Sequence, residues 1–85
     1  MKSFQYKITS VIEVDDNLAA LLVRETSPAK SEVILECNGK TGDAKCLFSI
    51  KEMKIKNGDD VAVLIEGEDE TETAENLEKF FHKNL

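Results

Sequence analysis

The chain has 85 residues, of which 41% are hydrophobic and 33% are charged, and its formal net charge at pH 7 is -6. A chain of this length predicts a single domain, residues 1–85, because two hydrophobic cores would not fit. The negative charge argues against nucleic acid and anionic membrane surfaces as partners, since both are bound mainly through Lys and Arg.

The beginning of the chain does not resemble a targeting segment. Residues 1–7 alternate polar and apolar side chains and lack the continuous apolar stretch of a signal peptide. No apolar run elsewhere approaches the length of a membrane span. We therefore expect a cytoplasmic protein, in which Cys37 and Cys46 are reduced thiols. Their spacing is not that of a metal site, and no metal or other cofactor is predicted.

The first two predicted elements are a strand and a helix. Alternation of Phe4, Tyr6 and Ile8 with polar residues predicts a half-buried strand. The stretch Val11–Val23 then passes from a β-branched run through Asp15, Asp16 and Asn17 into an apolar helical pattern with Leu18, Leu21 and Leu22. Asp16 or Asn17 is the expected N-cap, and Ser27-Pro28 is expected to end the helix.

A hairpin is predicted next. Val33, Leu35 and Cys37 alternate with more polar positions, which predicts a second strand. Asn38-Gly39 is typical of a tight turn with positive φ at both positions, and a short third strand over Lys40–Ala44 follows it.

Three more elements complete the chain. Leu47, Phe48, Ile50 and Met53 predict a short helix with one apolar side, and Lys51, Lys54 and Lys56 form a basic cluster there, interpreted as a solvated face. Val61, Val63 and Ile65 predict a fourth strand, and a last helix starts near Asp69 or Thr71. The order β-α-β-β-α-β-α predicts an α+β open-faced sandwich, a four-stranded antiparallel sheet covered on one face by three helices.

Several segments in this order are similar to a known family. They are Leu35–Lys40, the apolar run after Cys46, Asn57–Asp59, and Ile65–Glu70 before the terminal helix. Their order and spacing resemble HPr, the small phosphocarrier of the bacterial sugar phosphotransferase system, over nearly the whole chain. The resemblance implies the same open-faced β-sandwich and a non-enzymatic protein of that system.

The resemblance places the functional positions of the family on changed residues. The phosphorylated histidine of HPr lies at the start of the first helix, in a Gly-Ile-His-Ala-Arg-Pro-Ala pattern. When Ala19–Val23 is aligned with the end of that pattern, Asp15 takes the position of the histidine. Asn17 then takes the position of the phosphate-binding arginine and Leu18 that of the proline. The regulatory serine of the family falls on Cys46.

These changes argue against phosphotransfer through a histidine. A phosphohistidine carrier needs an imidazole nitrogen as nucleophile and donors for the phosphoryl oxygens. The only histidine, His82, lies at the end of the chain and is interpreted as a surface residue of the last helix. Glu13, Asp15 and Asp16 would repel an incoming phosphoryl group.

The resemblance also implies a docking patch for partner proteins on the first two helices. The residues expected there are Asp16, Asn17, Ala20, Arg24, Leu47, Phe48 and Lys51. The competing interpretation is that Leu47 and Phe48 belong to the core. The favoured hypothesis is a monomeric protein-binding or regulatory module whose partners are phosphotransferase-system or carbon-regulation components.

Two alternative functions stay open. Asp15 could accept a phosphoryl group as an acyl phosphate, although such sites use a divalent cation and a basic residue, and no Lys or Arg is adjacent in sequence. Its plain interpretation is a solvated acidic loop with a helix cap. Cys46 precedes a helix start, where the pKa of a thiol can fall, so a redox role is the second alternative. The plain interpretation is a small, partly buried residue.

Overall fold

In the computed structural model of residues 1–85, seven elements follow one another in the predicted order. The strands are β1 (Lys2–Lys7), β2 (Glu32–Cys37), β3 (Lys40–Asp43) and β4 (Asp60–Glu66). The helices are α1 (Asp16–Thr26), α2 (Leu47–Met53) and α3 (Glu70–Asn84).

The four strands form one antiparallel sheet in the order β1-β4-β2-β3. Helix α3 packs on β1 and β4, α2 packs on β3, and α1 contacts both other helices. The helices therefore cover one face of the sheet, and the predicted α+β open-faced sandwich is confirmed. No helix is both long and apolar enough to cross a bilayer.

Strands β2 and β4 supply the centre of the core through their period of two. Val33 and Leu35 of β2 and Val63 and Ile65 of β4 are almost completely buried, whereas the residues between them lie on the uncovered face. Each such side chain stabilises the fold by about 1.5–3 kcal/mol through removal of apolar surface from water.

An aromatic cluster fixes α3 against the edge strand β1. The ring of Phe81 is buried and lies edge-on to Phe4 and Tyr6, with ring centroids 5.5 and 5.6 Å away. This spacing is that of favourable edge-to-face pairs. Ile8, predicted as an apolar position of the strand, is fully buried but lies just beyond β1.

Helix α1 begins one residue earlier than predicted. Its N-cap is Asp15, and not Asp16 or Asn17, since the Leu18 backbone N–H donates to Oδ1 of Asp15 at 2.9 Å. Three successive residues with suitable side chains leave the choice of cap to tertiary structure. A hydrogen bond from the Val14 N–H to the Ile55 carbonyl (2.8 Å) holds the preceding residue in the loop and so fixes where the helix can start.

The buried face of α1 also differs from the predicted stripe. Ala19, Leu22 and Thr26 are buried, whereas Leu21 is 42% exposed. The hydroxyl of Thr26 donates to the Ala44 carbonyl at 2.9 Å, so its burial leaves no polar atom unpaired. The buried face of α1 is therefore rotated relative to the face on which its leucines lie.

The hairpin between β2 and β3 is confirmed. Asn38 and Gly39 have φ values of 53° and 77°, as a tight turn of this kind requires. Strand β3 ends at Asp43, one residue before the predicted end, and Ala44 is fully buried beyond it.

A carboxylate joins the two connections that lead into β2 and α3. Asp69 precedes α3, and its side chain accepts hydrogen bonds from the Lys30 backbone N–H (2.9 Å) and from the Ser31 hydroxyl. Ser31 is fully buried, and a Cβ atom on Gly67 would lie 2.6 Å from its Cα. The Ser31 hydroxyl and then the Lys30 N–H lower the pKa of Asp69 to about 2.

We predict that Asp69→Asn lowers the free energy of unfolding at neutral pH, because the neutral amide is a weaker acceptor for these donors. The folded-state pKa is depressed, so the contribution of Asp69 is present above its ordinary pKa of 3.8 and is lost as the pH falls towards about 2. The difference between the two proteins, measured by urea denaturation, should shrink over that interval. Glu68→Gln, an exposed neighbour with the same charge change, is the control. An equal effect of both substitutions would contradict this role of Asp69.

Candidate functional site

The loop before α1 is fastened to the segment after α2 by backbone hydrogen bonds. The Asn57 N–H donates to the Ile12 carbonyl, and the Gly58 N–H donates to the Ile8 carbonyl, each at 2.8 Å. Glu13 and Lys56 form an isolated antiparallel bridge in the same region. The loop therefore presents Asp15 and the start of α1 from a fixed backbone.

The acidic loop lies beside positive charges that are distant in sequence. Nζ of Lys51 is 3.3 Å from Oδ1 of Asp16, and Lys51 and Lys54 line the same depression as Glu13 and Asp15. No Lys or Arg is adjacent to these carboxylates in sequence, but the fold brings basic residues of α2 beside them. Sequence reasoning missed this because the packing of α1 on α2, and not local spacing, brings the two segments together.

The acidic residues of the loop do not assemble a metal site. No group of three or more His, Cys, Asp or Glu side chains is placed so that it could hold a metal ion. The carboxylate of Asp15 is instead used as the cap of α1. A cap of this type stabilises a helix by about 1 kcal/mol.

Helix α2 presents its second residue to solvent. The side chain of Phe48 is 71% exposed, whereas Leu47 is partly buried and packs against the core. The interpretation that both residues are core is therefore wrong for Phe48. Phe48 is one of four large hydrophobic residues exposed on the surface, with Met1, Ile12 and Leu21.

The residues of the predicted patch are only partly brought together. Lys51 of α2 and Asp16 of α1 are paired, and Asn17 and Ala20 are exposed on the same helix as Asp16. Arg24 is also exposed, but it lines a groove between α1 and α3. We use "α1–α2 patch" for Asp16, Asn17, Ala20, Arg24, Leu47, Phe48 and Lys51.

The histidine lies on a different element from the acidic loop. His82 is exposed in the last turn of α3, where its ring lies edge-on to Tyr6 with centroids 5.1 Å apart. The interpretation of His82 as a surface residue agrees with this position.

Cys46 occupies the N-cap position of α2. Its side chain makes no capping hydrogen bond. The Ser49 backbone N–H, followed by the Ser49 hydroxyl, lowers the pKa of the Cys46 thiol. Cys46 is half-buried, whereas Cys37 is 2% exposed, and the two form no disulfide. Burial is the main cause that raises the pKa of Cys37.

Comparison with known proteins assigns the chain to a family. A family model described as "PTS HPr component phosphorylation site" matches residues 2–83. The HPr-like protein Crh of Bacillus subtilis is 33% identical over 67 residues, which are 79% of this chain and 79% of Crh. The chain therefore belongs to the HPr family, whose members are phosphocarriers and not enzymes.

Solved structures agree with this assignment. The crystal structure of HPr from Thermoanaerobacter tengcongensis covers 98% of this chain and 93% of its own, with a TM-score of 0.91 and 26% identity. The Bacillus subtilis catabolite repression protein Crh covers 100% of this chain and 98% of its own, with a TM-score of 0.77 and 27% identity. That Crh structure is an intertwined, domain-swapped dimer.

We predict that iodoacetamide alkylates Cys46 in the folded protein and reaches Cys37 only after unfolding. A lowered pKa increases the thiolate fraction of Cys46 at a given pH, and the thiolate is the reactive species. Ser49→Ala removes one of the groups that lower this pKa, so the pH profile of alkylation should move to higher pH. Peptide mass spectrometry over a pH series measures both effects. Equal alkylation of the two cysteines in the folded protein would contradict the assignment.

Proposed function

We propose that this HPr-family chain is a protein-binding regulatory module that docks partners through the α1–α2 patch and does not carry phosphate on a histidine. The observation that carries the proposal is the exposure of Phe48, which is 71% accessible on α2. An aromatic side chain exposed to solvent is a common anchor of protein interfaces.

The residues at the start of α1 support the claim that the chain does not carry phosphate on a histidine. Phosphohistidine transfer requires an imidazole at the acceptor position. Asp15 caps α1 at the position that the resemblance gives to the histidine, and the single histidine is on α3. The carboxylate at this position keeps a negative charge where HPr carries one only after phosphorylation. The module would then present a constant charge to its partners.

The charged residues near Phe48 include both a cation and an anion, which suits a partner surface that also carries charges of both signs. Lys51 and Asp16 form an exposed pair beside it, which contributes little to stability but can orient a partner. Proteins of the HPr family interact with other proteins of the phosphotransferase system and its regulation. We place the partners of this chain in the same group, in the cytoplasm, and propose that it acts as a monomer, unlike the swapped Crh dimer.

A second candidate function is phosphoryl transfer through Asp15. Lys51 and Lys54 line the depression that contains Asp15 and would offset the charge of a phosphoryl group. The hydrogen bond from the Leu18 N–H already occupies one oxygen of Asp15, and its loss on phosphorylation would weaken the start of α1. A redox role for Cys46 is a third candidate, supported by its lowered pKa.

We predict that enzyme I of the host phosphotransferase system, an expected partner, binds the chain through the α1–α2 patch. Phe48→Ala should weaken this binding about tenfold, because truncation of a buried aromatic anchor is among the costliest changes at an interface. Isothermal titration with phosphate-free enzyme I measures the effect.

The matched control is Leu64→Ala, which removes apolar atoms from the uncovered face of the sheet. It should leave the affinity unchanged. Equal losses in the two variants, or tight binding that is insensitive to Phe48→Ala, would contradict docking through the patch.

A further inference from the structure

A groove between α1 and α3 combines an exposed apolar side chain with unpaired positive charges. We call it the α1–α3 groove and define it by Leu21, Arg24 and Glu25 of α1 and Lys79, Phe80 and Lys83 of α3. Its volume is about 730 Å³. Only Arg24 is shared with the α1–α2 patch.

The apolar part of the groove is not required by the core. Leu21 is 42% exposed, since the buried side of α1 is formed by Ala19, Leu22 and Thr26. Phe80 is only 9% exposed and contributes the floor. A solvent-exposed leucine beside a buried aromatic ring can contact one apolar side chain of a partner.

The charges of the groove oppose those of the whole chain. Arg24, Lys79 and Lys83 are exposed, and none of them takes part in a salt bridge. Glu25 is the one carboxylate in the lining. The groove is therefore locally positive in a chain whose net charge is -6.

The carboxylates next to the groove form no ion pairs with its lysines. Glu75 and Glu78 lie beside Lys79 and Lys83 on the outer side of α3, together with His82. Neither glutamate is within ion-pair distance of a lysine. The lysine ammonium groups remain available to a partner.

We propose that the α1–α3 groove docks an acidic amphipathic helix of a partner protein. One apolar side chain of that helix would rest on Leu21 and Phe80, and carboxylates on its flanks would meet Arg24, Lys79 and Lys83. A groove between two helices suits a third helix, which anchors through residues three or four positions apart. The overall negative charge would repel a long polyanion such as nucleic acid, whereas a short acidic segment senses mainly the local cations.

This docking site goes beyond the proposed function, because it uses α3 and does not need Phe48. Arg24 borders both surfaces, so a partner that occupies the α1–α2 patch can continue along α1 into the groove. The two sites are separable by substitution at Lys79 and Lys83, which lie outside the patch.

The probe for the test is a synthetic helix-forming peptide with leucines three and four residues apart and glutamates on both flanks. We expect it to shift the amide resonances of Leu21, Phe80 and Lys83 in a titration followed by NMR. The double substitution Lys79→Glu and Lys83→Glu should weaken binding about tenfold, measured by fluorescence anisotropy, since it reverses two of the three charges. Leu21→Asn should weaken it as well.

Three controls make the outcome decisive. Lys7→Glu with Lys40→Glu gives the same change in net charge at exposed positions of the sheet, away from the groove, and should leave the affinity unchanged. Phe48→Ala should also leave it unchanged, which separates this site from the α1–α2 patch. A peptide with glutamine in place of every glutamate should not bind. No binding of the acidic peptide, resonance shifts confined to the α1–α2 patch, or equal losses in the two lysine pairs would overturn the proposal.

Discussion

The carboxylate of Asp69 makes a polar junction between two distant segments of the chain, beside the hydrophobic core on which the helices pack. It accepts hydrogen bonds from Lys30 and Ser31 and thereby joins the connection that follows α1 to the residue that precedes α3. Gly67 allows the two backbones to approach closely at this point. The junction therefore holds the start of α3 to the segment that follows the end of α1. The hydrophobic core holds all three helices against the sheet. The exposed residues of α1, α2 and α3 are not needed for this packing and are available for binding.

The function of this chain depends on its surface residues and not on the fold that it shares with its family. The scaffold of the family is retained, but the start of α1 carries a capping carboxylate, and Cys46 stands at the start of α2. The surface features on which our proposals rest are the exposed ring of Phe48 and the groove around Leu21. Both involve helices on the covered side of the sheet, so one partner could contact both.

The sequence was sufficient for the fold because its signals are local and mutually consistent. The alternation in β2 and β4 and the Asn38-Gly39 turn each specify one structure. The N-cap of α1 was misplaced because Asp15, Asp16 and Asn17 are locally equivalent. The exposure of Leu21 and the pairing of Asp16 with Lys51 depend on how the helices pack, which no local pattern encodes. The site was therefore less predictable than the scaffold that carries it.

The most direct test of the central claim is the intact mass of the chain after incubation with phosphoenolpyruvate, magnesium and the host's own enzyme I. Genuine HPr from the same organism is the positive control. We predict that HPr becomes fully phosphorylated and that this chain gains no phosphate. A stoichiometric phosphate adduct on the chain would contradict a purely binding role. Its disappearance in Asp15→Asn would identify the protein as a carboxylate phosphocarrier.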